Sequence, residues 1–179
     1  MLVLIGLIAC SGGEQAKIKA QVEGVEAELL KLETPVAEAH EKYQAATAQL
    51  PTDSNEALAK HLAVEVKPLV HDAAEKSLAA DNRCYDIQKR VENSSLPQDV
   101  KSRLAGVVFQ HSRFYYCRWR AYEAAEEAID LLGQGKGAEY KKAMAQALEN
   151  MNEGTAFQVA AISQTLELNS LLGISPDQN

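Results

Sequence analysis

Apolar residues recur at alternating spacings of four and three along the first part of the chain, and this pattern constrains the fold more than any other feature. The series is Ile18, Val22, Val25, Leu29, Leu32, Val36, Ala39, Tyr43, Ala46 and Leu50. Such spacing puts every member on one side of an α-helix, as in the seam along which the helices of a bundle pack at a shallow angle. A second series with this spacing is Val100, Leu104, Val107, His111, Phe114, Arg118, Ala121, Ala125, Ala128 and Leu132. The two series predict two long amphipathic helices.

Two further segments carry a less regular version of the pattern. In the second segment the series slips near Ser77 and comprises Leu62, Val66, Leu69, Ala73, Ala80, Cys84, Ile87 and Val91. In the fourth segment a polar stretch over 152–158 interrupts the series Tyr140, Met144, Ala147, Met151, Ala161, Ile162, Leu168 and Leu172. We predict helices here as well, with these residues facing the core.

Three clusters of helix-breaking residues divide the chain into four segments of similar length. They are Pro51–Asn55, Asn93–Pro97 and Gly133–Gly137. Ser54 or Asn55 is placed to cap the second helix, and Ser95 the third. Four amphipathic helices with short connections predict an all-α fold, a long antiparallel up-down-up-down four-helix bundle. The predicted helices span 14–50, 55–92, 96–132 and 137–172, within a single domain over 14–173 and before a flexible tail over 174–179.

Two prolines lie inside predicted helices. Pro35 and Pro68 each lack an N–H and crowd the carbonyl four residues earlier, at Lys31 and Val64. The apolar series of the first segment stays in phase through Pro35, which predicts a kink there rather than a break. Alternatively, Thr34 caps a new helix that has Pro35 at its first position.

The charge balance excludes one large class of partner. The chain carries a formal net charge of −7, whereas nucleic-acid binding depends on Lys and Arg side chains that neutralise phosphates. We therefore predict no nucleic-acid partner. Beyond the first residues, no apolar run approaches the roughly 20 residues that a membrane-spanning helix needs.

The stretch 109–122 holds six of the ten Phe, Tyr and Trp residues of the chain. One interpretation is a ligand or cofactor pocket at mid-bundle. The other is a packing layer, in which large rings face small residues at the same height on neighbouring helices. The small residues at that height are Ala73, Ala74, Gly154, Ala156 and Ala160. Their number favours packing over a pocket.

Arg118 lies in the predicted seam, where a buried charge is costly unless it is paired. Antiparallel pairing of the second and third helices about a turn near residue 95 brings Arg118 level with about residue 72. Asp72 and Glu75 are therefore its predicted partners. The candidate polar cluster, structural or ligand-binding, comprises His71, Asp72, Glu75, His111, Arg118 and Trp119.

Residue types that commonly hold metals or carry catalysis form no recognisable pattern. The four histidines include no Glu-x-x-His pair of the kind that di-iron bundles use, and the sequence has no Cys-x-x-Cys-His haem motif. No grouping of nucleophile, base and oxyanion donors can be assembled. We predict no metal, no cofactor and no enzymatic activity.

Cys84 and Cys117 are the two cysteines inside the predicted bundle. An even pair would suit a disulfide in an oxidising compartment. Antiparallel pairing, however, places Cys84 level with about residue 106, roughly 16 Å along the axis from Cys117. This exceeds the roughly 7 Å between Cα atoms that a disulfide allows, so two unbridged thiols are favoured unless the second helix is broken.

The residues before the bundle end in Leu7-Ile8-Ala9-Cys10, followed by Ser11 and two glycines. The apolar run is too short to span a membrane, and the glycines break any helix begun there. These residues resemble the lipobox of bacterial lipoproteins, where signal peptidase cuts before a cysteine that is lipidated. The resemblance implies a signal-peptide remnant over 1–9, lipidation of Cys10 and a linker over 10–13. Since the family's basic residues before the apolar run are missing, we expect the natural start upstream of Met1.

The same resemblance implies a location and a kind of function. Ser11, rather than an aspartate, follows the lipidated cysteine, which in this family points to the outer membrane, facing the periplasm. We expect a lipid-anchored, non-enzymatic structural or protein-interaction module of the cell envelope. Its partner would be an envelope protein or a second copy of itself. The alternative is a bundle that binds a small ligand or cofactor in a mid-bundle pocket of aromatic, His and Arg side chains.

In the predicted topology, the turn between the second and third helices returns to the anchored end. Basic residues near that end are candidate contacts to anionic lipid headgroups, each contributing about 1 kcal/mol. They are Lys17, Lys19, Arg83, Lys89, Arg90, Lys101 and Arg103. Alternatively, these basic residues are ordinary solvated side chains at helix ends, with acidic neighbours that dilute their charge. The sequence fits both interpretations equally well.

Overall fold

Five α-helices and one π-helical turn make up the part of the chain that the computed structural model describes, residues 12–51 and 54–174. The helices are α1 (Gly12–Thr47), α2 (Asn55–His61), α3 (Lys67–Glu92), α4 (Gln98–Gly133) and α5 (Gly137–Leu172), and the π turn Leu62–Val66 joins α2 to α3. Because α2, the π turn and α3 follow one another without a break, they act as one rod. The four rods pack antiparallel, and no strand occurs in the described ranges. The predicted all-α antiparallel four-helix bundle is confirmed.

The first rod follows the predicted apolar series closely. Val22, Leu29, Val36 and Ala39 are buried, whereas Leu50 at the far end is 38% exposed. The helix α1 also runs without interruption through its internal proline. The described helices contain no apolar stretch long enough to cross a bilayer.

The rods are not evenly spaced. The helix α4 packs directly against both α3 and α5, and α1 packs against α3, but α1 and α5 stand further apart at the backbone. Long polar side chains bridge that wider seam. Gln158 donates a hydrogen bond to Glu33 over 3.1 Å, and Asn169 donates one to Glu26 over 3.3 Å. The seam between α1 and α5 is therefore the polar and open side of the bundle.

Close packing of α4 on α5 depends on a glycine. A Cβ added at Gly154 would lie 3.2 Å from the Cβ of Cys117 and 3.4 Å from the backbone oxygen of Phe114. The glycine thus lets the backbones of the two helices approach closely, and its contacts are with Cys117 and backbone atoms rather than with an aromatic ring. Ala156 is exposed and Ala160 is half-buried, so these two alanines do not take part.

The irregular second segment contains a π turn rather than a slip at Ser77, which is buried in the seam. The N–H of Lys67 donates to the oxygen of Leu62, five residues earlier. Pro68 accounts for this wide turn, since its ring would crowd the carbonyl of Val64 in a regular α-helix and it has no N–H to donate.

The π turn changes which residues of the second rod face inward. Leu62, Val66 and Val70 are buried at successive spacings of four, which would drift by about 40° per step around a regular α-helix. The wide turn absorbs the extra residue and keeps them in line. The predicted core residue Leu69 is consequently only half-buried, and Val70 takes the inner position.

The ends of the helices follow local sequence signals in part. Ser54 caps α2, and its hydroxyl accepts a hydrogen bond from the N–H of Ala57 at 3.1 Å, as predicted. Ser95 does not cap α4, because that helix begins one residue after Pro97. The glycine run between α4 and α5 forms the predicted turn, in which Gly135 has a φ of 73°, a conformation that favours glycine.

Candidate functional site

A second line of residues runs along the outer side of α5 at the same alternating spacing of four and three as a bundle seam. We call this line the outer seam, and it comprises Leu148, Asn152, Thr155, Val159, Ile162 and Leu166. Its four apolar members are 54% to 63% exposed. The prediction that Ile162 faces the core is wrong, because the preceding Ala161 is fully buried and takes the inward position. Sequence reasoning missed the outer seam since it sought a single apolar series in each helix.

The apolar surface continues from α5 onto α1. The hydrogen bond between Gln158 and Glu33 sets the antiparallel register of the two helices, which places Leu30 level with the part of α5 that contains Ile162. The side chain of Leu30 is 60% exposed. Leu30 and the outer seam lie on the two helices that flank the polar α1–α5 seam, and we call these exposed apolar residues together the apolar face.

Carboxylates flank the apolar face on both α1 and α5. On α1, Glu23 and Glu26 precede Leu30 by seven and four residues, so both share its side of the helix. Glu23 is exposed and Glu26 is half-buried. On α5, Glu149 and Glu167 are exposed beside the outer seam, and the last Lys or Arg of the sequence comes before the seam begins. The rim of the apolar face is therefore mainly acidic.

A polar cleft of about 240 Å³ opens near mid-bundle between α1 and the α4–α5 pair. On the α4 side of the cleft, the guanidinium carbon of Arg118 lies 4.8 Å from the centre of the Phe114 ring. On the α1 side, Nδ1 of His40 is 2.7 Å from the hydroxyl of Tyr122. Glu33 also lines the cleft, so it offers groups of both charges to solvent.

The protonation of the His40–Tyr122 pair follows from its surroundings. Burial, and then the nearby charge of Arg118, lowers the pKa of His40 below its ordinary value of 6.5. Burial raises the pKa of Tyr122 to about 12. At neutral pH the imidazole is neutral and the phenol is protonated, and the tautomer of His40 sets which of the two groups donates the hydrogen bond. Burial likewise lowers the pKa of His111.

The structure does not bring the six residues of the predicted polar cluster together. His71 lies at the outer edge of the α3–α4 contact, 3.3 Å from Glu126 and 3.5 Å from Glu75. Asp72 forms its ion pair with Lys76 at 2.7 Å. The His71 contacts are exposed, the Asp72–Lys76 pair is partly buried, and none of these residues lines the polar cleft.

The other members of that cluster point in different directions. The predicted ion pair of Arg118 with α3 is not formed, because Arg118 occupies the side of α4 that faces the cleft and α1. His111 is half-buried beside Tyr115, with ring centres 6.3 Å apart. Trp119 packs edge-on against Tyr116 at 5.5 Å, near the surface. His40 is the cleft residue that sequence reasoning missed, although its spacing of four from the buried Val36 was a usable signal.

Ion pairs within the bundle engage part of the predicted basic set. Arg90 contacts both carboxylate oxygens of Glu28, at 3.0 and 2.6 Å, and Arg83 contacts the same group at 3.5 Å. Lys19 donates to the backbone oxygen of Gly173 at 3.0 Å, which joins the start of α1 to the end of α5. The remaining members are Lys17, Lys89, Lys101 and Arg103. A lipid surface would thus meet fewer unpaired cations than the sequence suggested.

The cysteines and potential metal ligands offer no reactive centre in the described part of the chain. Cys84 and Cys117 are buried and unbridged, as the spacing argument favoured. Burial raises the pKa of Cys84 to about 12, which suppresses its thiolate. Within residues 12–51 and 54–174, no group of three or more His, Cys, Asp or Glu side chains could hold a metal ion.

Comparison of the chain with models of protein families, with curated proteins and with solved structures found no match. The fold therefore defines its class, an antiparallel four-helix bundle with one exposed apolar face. Cys10 and the lipobox residues lie outside the described ranges, so the lipid anchor stays a prediction.

Proposed function

We propose that this protein is a lipid-anchored, non-enzymatic module of the bacterial cell envelope that binds a partner protein along the outer seam of α5. The observation that carries the proposal is the exposed apolar line at heptad spacing. The helix α5 has one apolar line buried in the bundle and a second one exposed, so its outer side is suited to packing against another helix. Recognition of an amphipathic helix by an apolar face is a recurrent mode of protein binding.

The charge around the seam supports a particular kind of partner. Arg103 of α4 lies beside Leu166 at one end of the seam, next to Glu167, but no basic residue follows Lys142 on α5 itself. A second copy of this chain would place carboxylates opposite carboxylates along most of the contact, which costs free energy. A helix from a different protein, with Lys or Arg beside its apolar residues, would instead be attracted and correctly oriented. The acidic rim that such a helix would meet comprises Glu23, Glu26, Glu149 and Glu167.

A synthetic helix tests this binding mode. The probe is a peptide of about 28 residues, four heptads, with Leu in its seam and Lys beside it, compared with a version in which Glu replaces Lys. We expect only the Lys peptide to bind, as measured by fluorescence anisotropy. Ile162→Asp is expected to weaken binding by about tenfold or more, because a charge would be desolvated at the centre of the contact.

The matched control for that substitution is Val64→Asp. Val64 is 59% exposed, like Ile162 at 55%, but it lies on the second rod and not on α1 or α5. The Val64→Asp substitution should leave the affinity for the Lys peptide unchanged. Equal binding of both peptides, equal effects of the two substitutions, or a stable dimer of the protein in sedimentation experiments would each contradict the proposal.

The anchor is tested separately, in cells that express the natural gene. We expect palmitate label on the protein and its recovery in the membrane fraction, and we expect Cys10→Ser to abolish both. Cys117→Ala, which removes a buried thiol, is the matched control and should retain label and membrane association. An unlabelled natural protein, or label that persists in Cys10→Ser, would exclude lipidation at this site without bearing on the outer seam.

A further inference from the structure

An apolar chamber of about 200 Å³ lies among all four rods at the end of the bundle away from the start of α1. The side chains that line it include Leu58, Leu62, Val66, Val70, Ile129 and Met144, and no charged residue takes part. Protein interiors are normally packed so closely that voids larger than a water molecule are few. This chamber is larger than such voids and is partly open to solvent, since Leu50 on its lining is 38% exposed.

The π turn of the second rod lies beside the chamber. The chamber is lined by Leu58 before the turn, by Leu62 and Val66 within it and by Val70 after it. The wide turn keeps Leu62, Val66 and Val70 on the inner side of the rod. Since π turns of this kind occur frequently at functional sites, the position of the chamber beside the turn supports a binding site here.

Two tyrosine hydroxyls line the chamber, and its third hydroxyl, that of Thr47, already donates to the backbone oxygens of Tyr43 and Gln44. Tyr43 and Tyr140 both line the chamber, and neither hydroxyl hydrogen-bonds to another residue in the described ranges. Burial, with a smaller contribution from Tyr140, raises the pKa of Tyr43. The phenol therefore stays protonated and can donate a hydrogen bond to an oxygen that enters the chamber.

We infer that the chamber is a binding site for a small apolar molecule that carries one hydrogen-bond acceptor oxygen. An apolar cavity of about 150 Å³ in another protein stays dry and binds benzene, so this chamber accommodates a ring of that size with a short polar substituent. The apolar body contacts the residues of the second rod, and its oxygen accepts from Tyr43 or Tyr140. This site is distinct from the polar cleft and from the outer seam.

Methionine methyl groups give a direct test on the intact domain. Met144 lines the chamber, whereas Met151, two turns further along α5, packs against the core outside the lining. In protein labelled with 13C at methionine methyls, titration with benzyl alcohol should shift the Met144 resonance in a saturable way. The Met151 resonance, which is the internal control, should move much less.

Two variants separate specific binding from general partitioning. Ala125→Leu places extra carbon atoms into the chamber and should abolish the saturable shift. The double variant Tyr43→Phe with Tyr140→Phe, which removes both hydroxyls and keeps both rings, should weaken benzyl alcohol about fivefold, the value of one hydrogen bond, and leave toluene unaffected. The inference is overturned if Met144 does not shift up to the solubility limit of the probe. It is equally overturned if both methyls shift alike, or if the double tyrosine variant affects both probes equally.

Discussion

Gly154→Leu is expected to destabilise the bundle by about 3 kcal/mol, the upper part of the range for overpacked cores. The Cβ alone would lie 3.2 Å from the Cβ of Cys117 and 3.4 Å from the Phe114 backbone oxygen. Three further carbon atoms cannot be placed without moving α5 away from α4. For a domain of this size, the change corresponds to a fall in melting temperature of roughly 10 °C, which thermal unfolding followed by circular dichroism would measure.

Two companion substitutions show whether the effect comes from the contact with α4. Gly24 lies within α1 and a Cβ there meets nothing within 4 Å. Gly24→Leu should therefore stabilise the protein by about 0.5 to 1 kcal/mol, because leucine favours helices more than glycine does. Gly154→Ala should be nearly neutral, since the same gain opposes a shift of a few tenths of an ångström. A Gly154→Leu protein as stable as the natural one would mean that α4 and α5 are not in close contact here.

Deletion of Val64, combined with Pro68→Ala, is expected to preserve a folded bundle, although it removes a residue from the middle of a rod. The π turn holds one residue more than a regular helix would. Without Val64, the series Leu58, Leu62, Val66 and Val70 acquires spacings of four, three and four, which keep it on one face of an α-helix. The substitution at Pro68 removes the ring that a regular helix would not tolerate.

The matched variant deletes Ala79 in the same Pro68→Ala background. Ala79 is exposed and lies in the regular part of α3, so its loss rotates everything before it by about 100° relative to everything after it. Val66, Val70 and Ala73 would leave the core. Each valine that leaves the core costs about 1.5–3 kcal/mol, so the loss takes a large part of the 5–15 kcal/mol that typically separates folded from unfolded domains, and we expect this variant to be far less stable than the Val64 deletion. Similar stabilities of the two deletion variants would refute the assignment of the extra residue to the π turn.

The heptad pattern was sufficient to predict the architecture because it is a local property. Residues such as Val22, Leu29 and Val36 fall on one side of any regular helix, wherever the other helices lie. Breakers such as Pro51 and the glycines around Gly135 likewise set the connections through backbone geometry alone. The number, length and antiparallel order of the rods follow from these signals.

The candidate sites depended on relations that a local pattern does not contain. The seam series assigned both Ala161 and Ile162 to the core, yet only Ala161 is buried, whereas Ile162 is 55% exposed. From its height along the bundle axis, we predicted that Arg118 pairs with carboxylates of α3. Arg118 instead lies on the side of α4 that faces the polar cleft, beside His40. A shift of one residue around a helix turns a side chain by about 100°, and small errors of phase therefore change its partner.

Sequence by itself determined four amphipathic rods, their order and the lipobox resemblance at Cys10, because each depends on residues close together in the chain. Only the tertiary structure decided which of two apolar lines on α5 is buried. The chamber beside the π turn likewise depends on how the four rods pack together. Both outcomes follow from how closely whole helices approach one another. That distance is set by small residues such as Gly154 and by the turn at Pro68, acting across the bundle rather than along the chain.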